Sequence, residues 1–208
     1  MNIEDYILQH TDAEPEYLPQ LNRETWIRML NPIMCSGHLQ GRVLSMLCKM
    51  IQPVHALELG TFTGYSALCI AESLHENGEL DTIESDDELE EFILRNFEKT
   101  PFEDKINLLI GNALEIIPTL DKTYDLVFID ADKREYEAYY EAVLPKIRQG
   151  GFILADNTLW SGKVVEKVHQ NDQQTLGILR FNELIATDNR VEKVILPLRD
   201  GLTLIRKK

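Results

Sequence analysis

A chain of 208 residues with 44% hydrophobic and 27% charged side chains has the composition of one folded globular domain, which excludes a disordered or fibrous chain. Its formal charge of −14 repels polyanions at long range, so nucleic acid is a disfavoured partner. No apolar run approaches a bilayer span, and MNIEDYILQH places acidic residues where a signal peptide carries positive charge. A cytoplasmic protein without a membrane partner is expected.

From Ile3 to Gln52 the pattern is helical, with Leu39, Val43, Leu44, Leu47 and Met50 recurring at three- and four-residue spacing. Cys35, Cys48 and Cys69 lie on apolar stretches without C-x-x-C spacing, and their odd number argues against a disulfide framework. Beyond Gln52, short apolar runs alternate with amphipathic segments, the signature of β-α units around a parallel sheet. Strands are predicted at Ala56–Leu59, Leu80–Glu84, Ile106–Ile110, Leu126–Ile129 and Phe152–Ala155. The acidic run Ser85–Glu91 reads as a helix N-terminus favoured by the macrodipole. An amphipathic helix over Gln173–Thr187 precedes Val191–Leu198 and Leu202–Arg206, which only Arg199, Asp200 and Gly201 separate. So short a connection requires an antiparallel hairpin. One α/β domain over residues 1–208 is expected, with a helical region at 1–52 and a Rossmann-like core at 53–208.

The segment ELGTFTGYS (Glu58–Ser66) leaves a strand, turns through Gly60 and Gly64 and enters a helix, the place where open α/β sheets bind ligands. Its G-x-x-x-G spacing lacks the G-x-G-x-x-G fingerprint that cradles a pyrophosphate, so a cofactor without a diphosphate fits better. Glu84 closes the second strand where an acidic residue accepts from ribose hydroxyls. Glu58 adds a second carboxylate, suited to a ligand with an amine, and S-adenosylmethionine offers both an adenosine ribose and an amine.

Two later strands end in FIDADK (Phe128–Lys133) and LADN (Leu154–Asn157). Helix N-caps would explain any one of these polar residues. As a set, Asp130, Asp156 and the Asn157 amide oxygen offer three hard ligands with open positions, which suits Mg²⁺, with Mn²⁺ or Ca²⁺ as alternatives. Lys133 lies within a turn of Asp130, and a nearby cation eases loss of its proton, making it a candidate general base.

ELGTFTGYS, TIES, the Gly111-Asn112-Ala113 turn, FIDADK with Tyr136 and Tyr139, and ADNTLWSG occur in the order seen in cation-dependent O-methyltransferases related to the caffeoyl-CoA and catechol enzymes. From about Asn31 to its end the chain resembles that family. The resemblance implies a class I S-adenosylmethionine-dependent methyltransferase fold, with a seven-stranded, mostly parallel sheet, an antiparallel C-terminal hairpin and extra N-terminal helices. It implies cofactor contacts at Met34, Ser36, Glu58, Gly60, Thr61, Ser66, Glu84, Ala113 and Asp130, metal ligands at Asp130, Asp156 and Asn157, and catalysis by Lys133. Ala131-Asp132 resembles the caffeoyl-CoA and bacterial branch and departs from the His-Trp of the animal catechol enzymes. A homodimer is implied as well. The acceptor is expected to be a small phenolic or catechol-like molecule, with Trp160 in the loop Thr158–Asp172 stacking on its ring. Three alternatives stay open: methylation of a hydroxylated tRNA base, a nicotinamide oxidoreductase, and a non-catalytic adenosine-binding protein.

Overall fold

The computed structural model describes residues 1–208. Its helical beginning is interrupted twice, giving α1 (Ile3–Gln9), α2 (Tyr17–Arg28) and α3 (Gly37–Ile51). Asn2 caps α1 by accepting the amide of Asp5, while Pro32 opens a short 3-10 turn between α2 and α3. Helix α3 ends where Gln52 turns left-handed at φ 54°. Its buried stripe is Gln40, Gly41, Leu44, Ser45 and Cys48, with Leu44 alone of the five apolar residues that marked the helix in sequence. Met50, counted into the apolar rhythm, is 74% exposed. Small and polar side chains on the buried stripe let α3 pack closely against α4 (Tyr65–Ala71), where a Cβ at Gly41 would meet Cys69 Sγ.

The remaining elements are β1 (His55–Leu59), β2 (Glu79–Glu84), α5 (Glu90–Phe97), β3 (Ile106–Ile110), α6 (Ala113–Ile116), β4 (Tyr124–Ile129), α7 (Tyr136–Val143), β5 (Ile147–Ala155), α8 (Gln173–Thr187), β6 (Val191–Leu196) and β7 (Leu202–Lys207). They form one seven-stranded sheet in the order β3-β2-β1-β4-β5-β7-β6. Strand β7 runs antiparallel to both neighbours, with Leu204 opposite Leu154 and Val194, so the expected mixed sheet with its terminal hairpin is what the chain adopts. The hairpin connection is longer than the sequence indicated, Pro197 to Gly201, because Pro197 has no amide to extend the β6 ladder.

Side chains alternate across the sheet into two apolar clusters. Leu57, Leu59, Val127, Ile129, Ile153 and Ala155 pack with α7 and α8, while Ala56, Leu126, Phe128 and Leu154 pack with α2, α3, α4 and α5. Both faces are therefore covered, and the strand order reverses between β1 and β4, opening a crevice above their carboxyl ends. No helix is long and apolar enough to cross a membrane, and the three cysteines are free and buried.

Candidate active site

At that crevice lies a cavity of about 1120 Å³, whose wall includes Met34, Ser36, Gly60, Thr61, Ser66, Glu84, Ala113, Asp130, Lys133, Asp156, Asn157 and Trp160. One space thus gathers every site residue singled out in the sequence except Glu58.

The first wall is the β1–α4 loop. Gly60 has φ 94°, and a Cβ there would stand 2.1 Å from Asp130 O, so only glycine lets this loop lie against the end of β4. Glu84 holds the loop from the side: its Oε2 accepts the Phe62 amide at 2.7 Å and its Oε1 accepts the Asp86 amide at 2.9 Å. Each carboxylate oxygen keeps a further lone-pair direction for a ligand hydroxyl. Glu58 lies behind this wall, fully buried on β1. The Thr82 hydroxyl donates to its Oε2, while Oε1 has no partner. Burial, which penalises the charged form, pushes the Glu58 carboxyl up to about 8. Glu58 reaches the loop through Thr82, whose hydroxyl also bonds that of Thr61 at 2.6 Å, and it presents no surface to the cavity.

The opposite wall comes from the ends of β4 and β5. Asp156 continues β5 with its two oxygens held separately, Oδ1 by the Asn157 amide at 2.8 Å and Oδ2 by Gln40 Nε2 at 2.7 Å. Burial, then the negative charge of nearby Asp130, push the Asp156 carboxyl up to about 6. Asn157 sits at φ 57°, a left-handed conformation that Asn tolerates better than most residues. Asp130, Asp156 and Asn157 thus line one cavity; nowhere do three His, Cys, Asp or Glu side chains gather as a metal group.

Lys133 lies beside this set and is only 7% exposed. Helix α8 covers it so closely that a Cβ at Gly177 would stand 2.2 Å from Lys133 O. Its Nζ donates to Asp130 Oδ1 at 2.6 Å and to the Tyr136 hydroxyl at 2.8 Å. Tyr136 in turn donates to the carbonyl of Asp156 at 2.9 Å. Burial holds the Tyr136 phenol well above its ordinary pKa, so it stays a neutral relay between the two strand ends.

Trp160 follows at φ 46°, lining the cavity while packing against the α7–α8 cluster. Its loop is anchored to the β6–β7 turn, Thr158 N to Gly201 O at 3.0 Å and Leu159 N to Asp200 O at 2.9 Å. Two residues around Asp156 escaped the sequence reading. Gln40 stands 116 positions away from it, and Arg199 was read only as part of a turn. No local motif marks either, because both reach the site through tertiary packing alone.

Comparison with known proteins agrees with this arrangement. The chain is 39% identical over 178 residues to a caffeoyl-CoA O-methyltransferase of Populus kitakamiensis, covering 81% of this chain and 76% of that one. The O-methyltransferase TomG of Streptomyces achromogenes, involved in tomaymycin synthesis and solved in complex with SAM, superposes with a TM-score of 0.92 at 28% identity, over 99% of this chain and 96% of that one. An O-methyltransferase from Bacillus cereus in complex with SAH gives a TM-score of 0.92 at 27% identity, over 99% and 97%. These similarities support the expected class I methyltransferase fold. With residues 8–208 matching the O-methyltransferase family and the glycine loop, strand-end carboxylates and lysine around one cavity, the chain belongs to that family and is an O-methyltransferase.

Proposed function

We propose that this enzyme transfers the methyl group of S-adenosylmethionine to a hydroxyl of a small phenolic, catechol-like acceptor, and that a divalent cation, Mg²⁺ foremost, assists. The observation that carries the reading is that Glu84, Asp130, Lys133, Asp156 and Asn157 all line one cavity. Its volume of about 1120 Å³ exceeds the roughly 300–1000 Å³ usual for one small ligand, leaving room for cofactor and acceptor together. TomG's complex with SAM and the Bacillus cereus enzyme's with SAH support the cofactor, and the Populus relative's name supports a phenolic acceptor.

The donor set fits a hard cation. Asp156 is buried near the like-charged Asp130, and a positive ion between them would relieve that repulsion; with Asn157 they offer only oxygen ligands. When bound, such an ion supplies positive charge that lowers the pKa of an acceptor hydroxyl and fixes two adjacent acceptor oxygens. Glu84 orients the cofactor through its ribose, and Met34, Ser36, Gly60, Thr61, Ser66 and Ala113 enclose it. Glu58 acts from behind the loop. Lys133 Nζ, as the neutral amine, keeps its two N–H on Asp130 and Tyr136 and takes the hydroxyl proton on its remaining lone pair. When bound, S-adenosylmethionine would supply a sulfonium methyl to the acceptor oxygen and leave as the neutral thioether S-adenosylhomocysteine, so that negative oxygen and positive sulfur are both neutralised. Trp160 offers its ring to the acceptor.

The proposal includes a single domain over 1–208, because α2 and α3 share an apolar cluster with β1 and β4. It includes a homodimer, supported by exposed Ile3, Trp26, Ile27 and Leu30, which a monomeric mass by light scattering would remove. A cytoplasmic location accords with three free thiols; secretion of the native protein would contradict it. The reading as a whole is tested by methyl transfer from S-adenosylmethionine to catechols, flavonoids and CoA esters with Mg²⁺ present. Turnover of at least one catechol is expected, and cofactor binding with no turnover across such a panel would overturn the reading.

A further inference from the structure

The carboxamide of Gln40 is 99% buried between a cation and a carboxylate. On one side Arg199 Nη1 donates to Gln40 Oε1 at 2.5 Å, and on the other Gln40 Nε2 donates to Asp156 Oδ2 at 2.7 Å. Arg199 Nη1 also donates to the carbonyl of Ser36, one turn earlier on the same side of α3. A guanidinium can only donate, so the amide oxygen must face Arg199 and the amide nitrogen must face Asp156. The Asp156 carboxylate, which only accepts, favours the same sense, and without Arg199 the buried amide oxygen would lose its donor and the carboxamide its second anchor.

We propose that Arg199 and Gln40 are positioning residues, Arg199 anchoring the Gln40 carboxamide by its oxygen and Gln40 holding the Asp156 carboxylate in the orientation that receives a hard cation. The inference rests on reading Asp130, Asp156 and Asn157 as a cation site. Asp156 Oδ1 is already tied to the Asn157 amide at 2.8 Å, so the second tie from Gln40 fixes the carboxylate plane. About four lone-pair sites belong to a carboxylate, and the two ties leave roughly half of them for a metal. The choice of an amide matters chemically. A lysine or arginine directly on Oδ2 would neutralise Asp156 and compete with the ion, whereas a neutral N–H donor orients the oxygen and leaves its charge in place. The Arg199 charge acts at one remove. It also couples the β6–β7 turn, which carries Trp160's loop on its other side, to the cation site through α3.

The test is binding of Mn²⁺ alone, followed by electron paramagnetic resonance of the free ion, in wild type, Arg199→Gly, Gln40→Leu and the double variant, with thermal unfolding alongside. Arg199 has φ 48°, a conformation glycine adopts readily, so the strain that Arg199→Gly relieves offsets part of the cost of leaving Gln40 Oε1 without its donor, and the variant is expected to stay folded with at most a modest fall in unfolding temperature. Orienting partners of metal ligands typically contribute about 10–100-fold in affinity. Gln40→Leu is expected within that range and Arg199→Gly at its lower end, roughly tenfold. Because Arg199 acts through Gln40, the double variant should bind no more weakly than Gln40→Leu. A merely structural role would lower the unfolding temperature and leave Mn²⁺ affinity alone. Wild type that binds Mn²⁺ beside an Arg199→Gly variant within about twofold of it overturns this inference and spares the cation site. Wild type that binds no Mn²⁺ overturns both.

Discussion

The two walls of the cavity are built in different ways. The cofactor wall, from Gly60 to Glu84, is made of neighbouring β1 and β2 and of backbone amides that Glu84 gathers onto itself. The opposite wall draws side chains from α3, β4, α7, β5 and the β6–β7 turn, and its polar groups are satisfied by other side chains as much as by backbone. Under the proposed function the contrast implies that binding the cofactor and moving the proton are separable, Asp130 being the one residue assigned to both. A lesion in one wall should leave the other working.

Lys133 gives the largest break. Lys133→Ala is expected to keep cofactor and cation affinity while losing about 10²–10⁴-fold in the rate of methyl transfer, the usual contribution of a general base. Raising the pH should recover part of the rate, since an acidified hydroxyl can eventually ionise to water. Single-turnover measurements with saturating cofactor, acceptor and Mg²⁺ decide it, and a rate within about twofold of wild type removes the base.

Glu84 breaks the other wall by less. Hydrogen bonds to a charged acceptor contribute about 1.5–3 kcal/mol, so Glu84→Ala should weaken S-adenosylmethionine roughly 10- to 100-fold. The loss belongs at the upper end because the substitution also releases the amides of Phe62 and Asp86. Calorimetry showing unchanged affinity in a folded variant would discard the ribose assignment.

Glu58 sharpens the comparison from beneath. Its folded pKa of about 8 lies above the ordinary 4.5. In the absence of cofactor it therefore favours folding below about 4.5, and that contribution is lost as pH rises toward about 8. Glu58→Gln should flatten this fall in stability, by a few kcal/mol at most given about 1.4 kcal/mol per pKa unit. Urea unfolding across that range measures it, and parallel curves for the two proteins would mean that Glu58 is ionised throughout.

The same contrast explains what the sequence could reveal. The alternation of apolar runs, the G-x-x-x-G loop and the carboxylates closing Ile129 and Ala155 are local signals, and topology brings them to one edge. The reversed strand followed from a connection too short for any other geometry. The interruptions among α1, α2 and α3 carry their own signals, the polar stretch over residues 10–16 with Pro15 and the Asn31-Pro32 step, which the apolar rhythm on either side outweighs, whereas the buried stripe of α3 was hidden because it is largely polar and small. Gln40 and Arg199 carry no local signature, since their meaning depends on Asp156 being placed between distant segments by the fold. Glu58 was legible as a strand-end carboxylate, yet its burial behind the loop depended on which face of β1 it occupied.

The most direct test of two separable walls is to remove divalent cations exhaustively and follow one preparation by two readouts, calorimetric binding of S-adenosylmethionine and turnover of a catechol. Cofactor affinity should stay within about twofold, while turnover disappears and returns on adding Mg²⁺ or Mn²⁺. Full turnover in the cation-free enzyme would contradict the account.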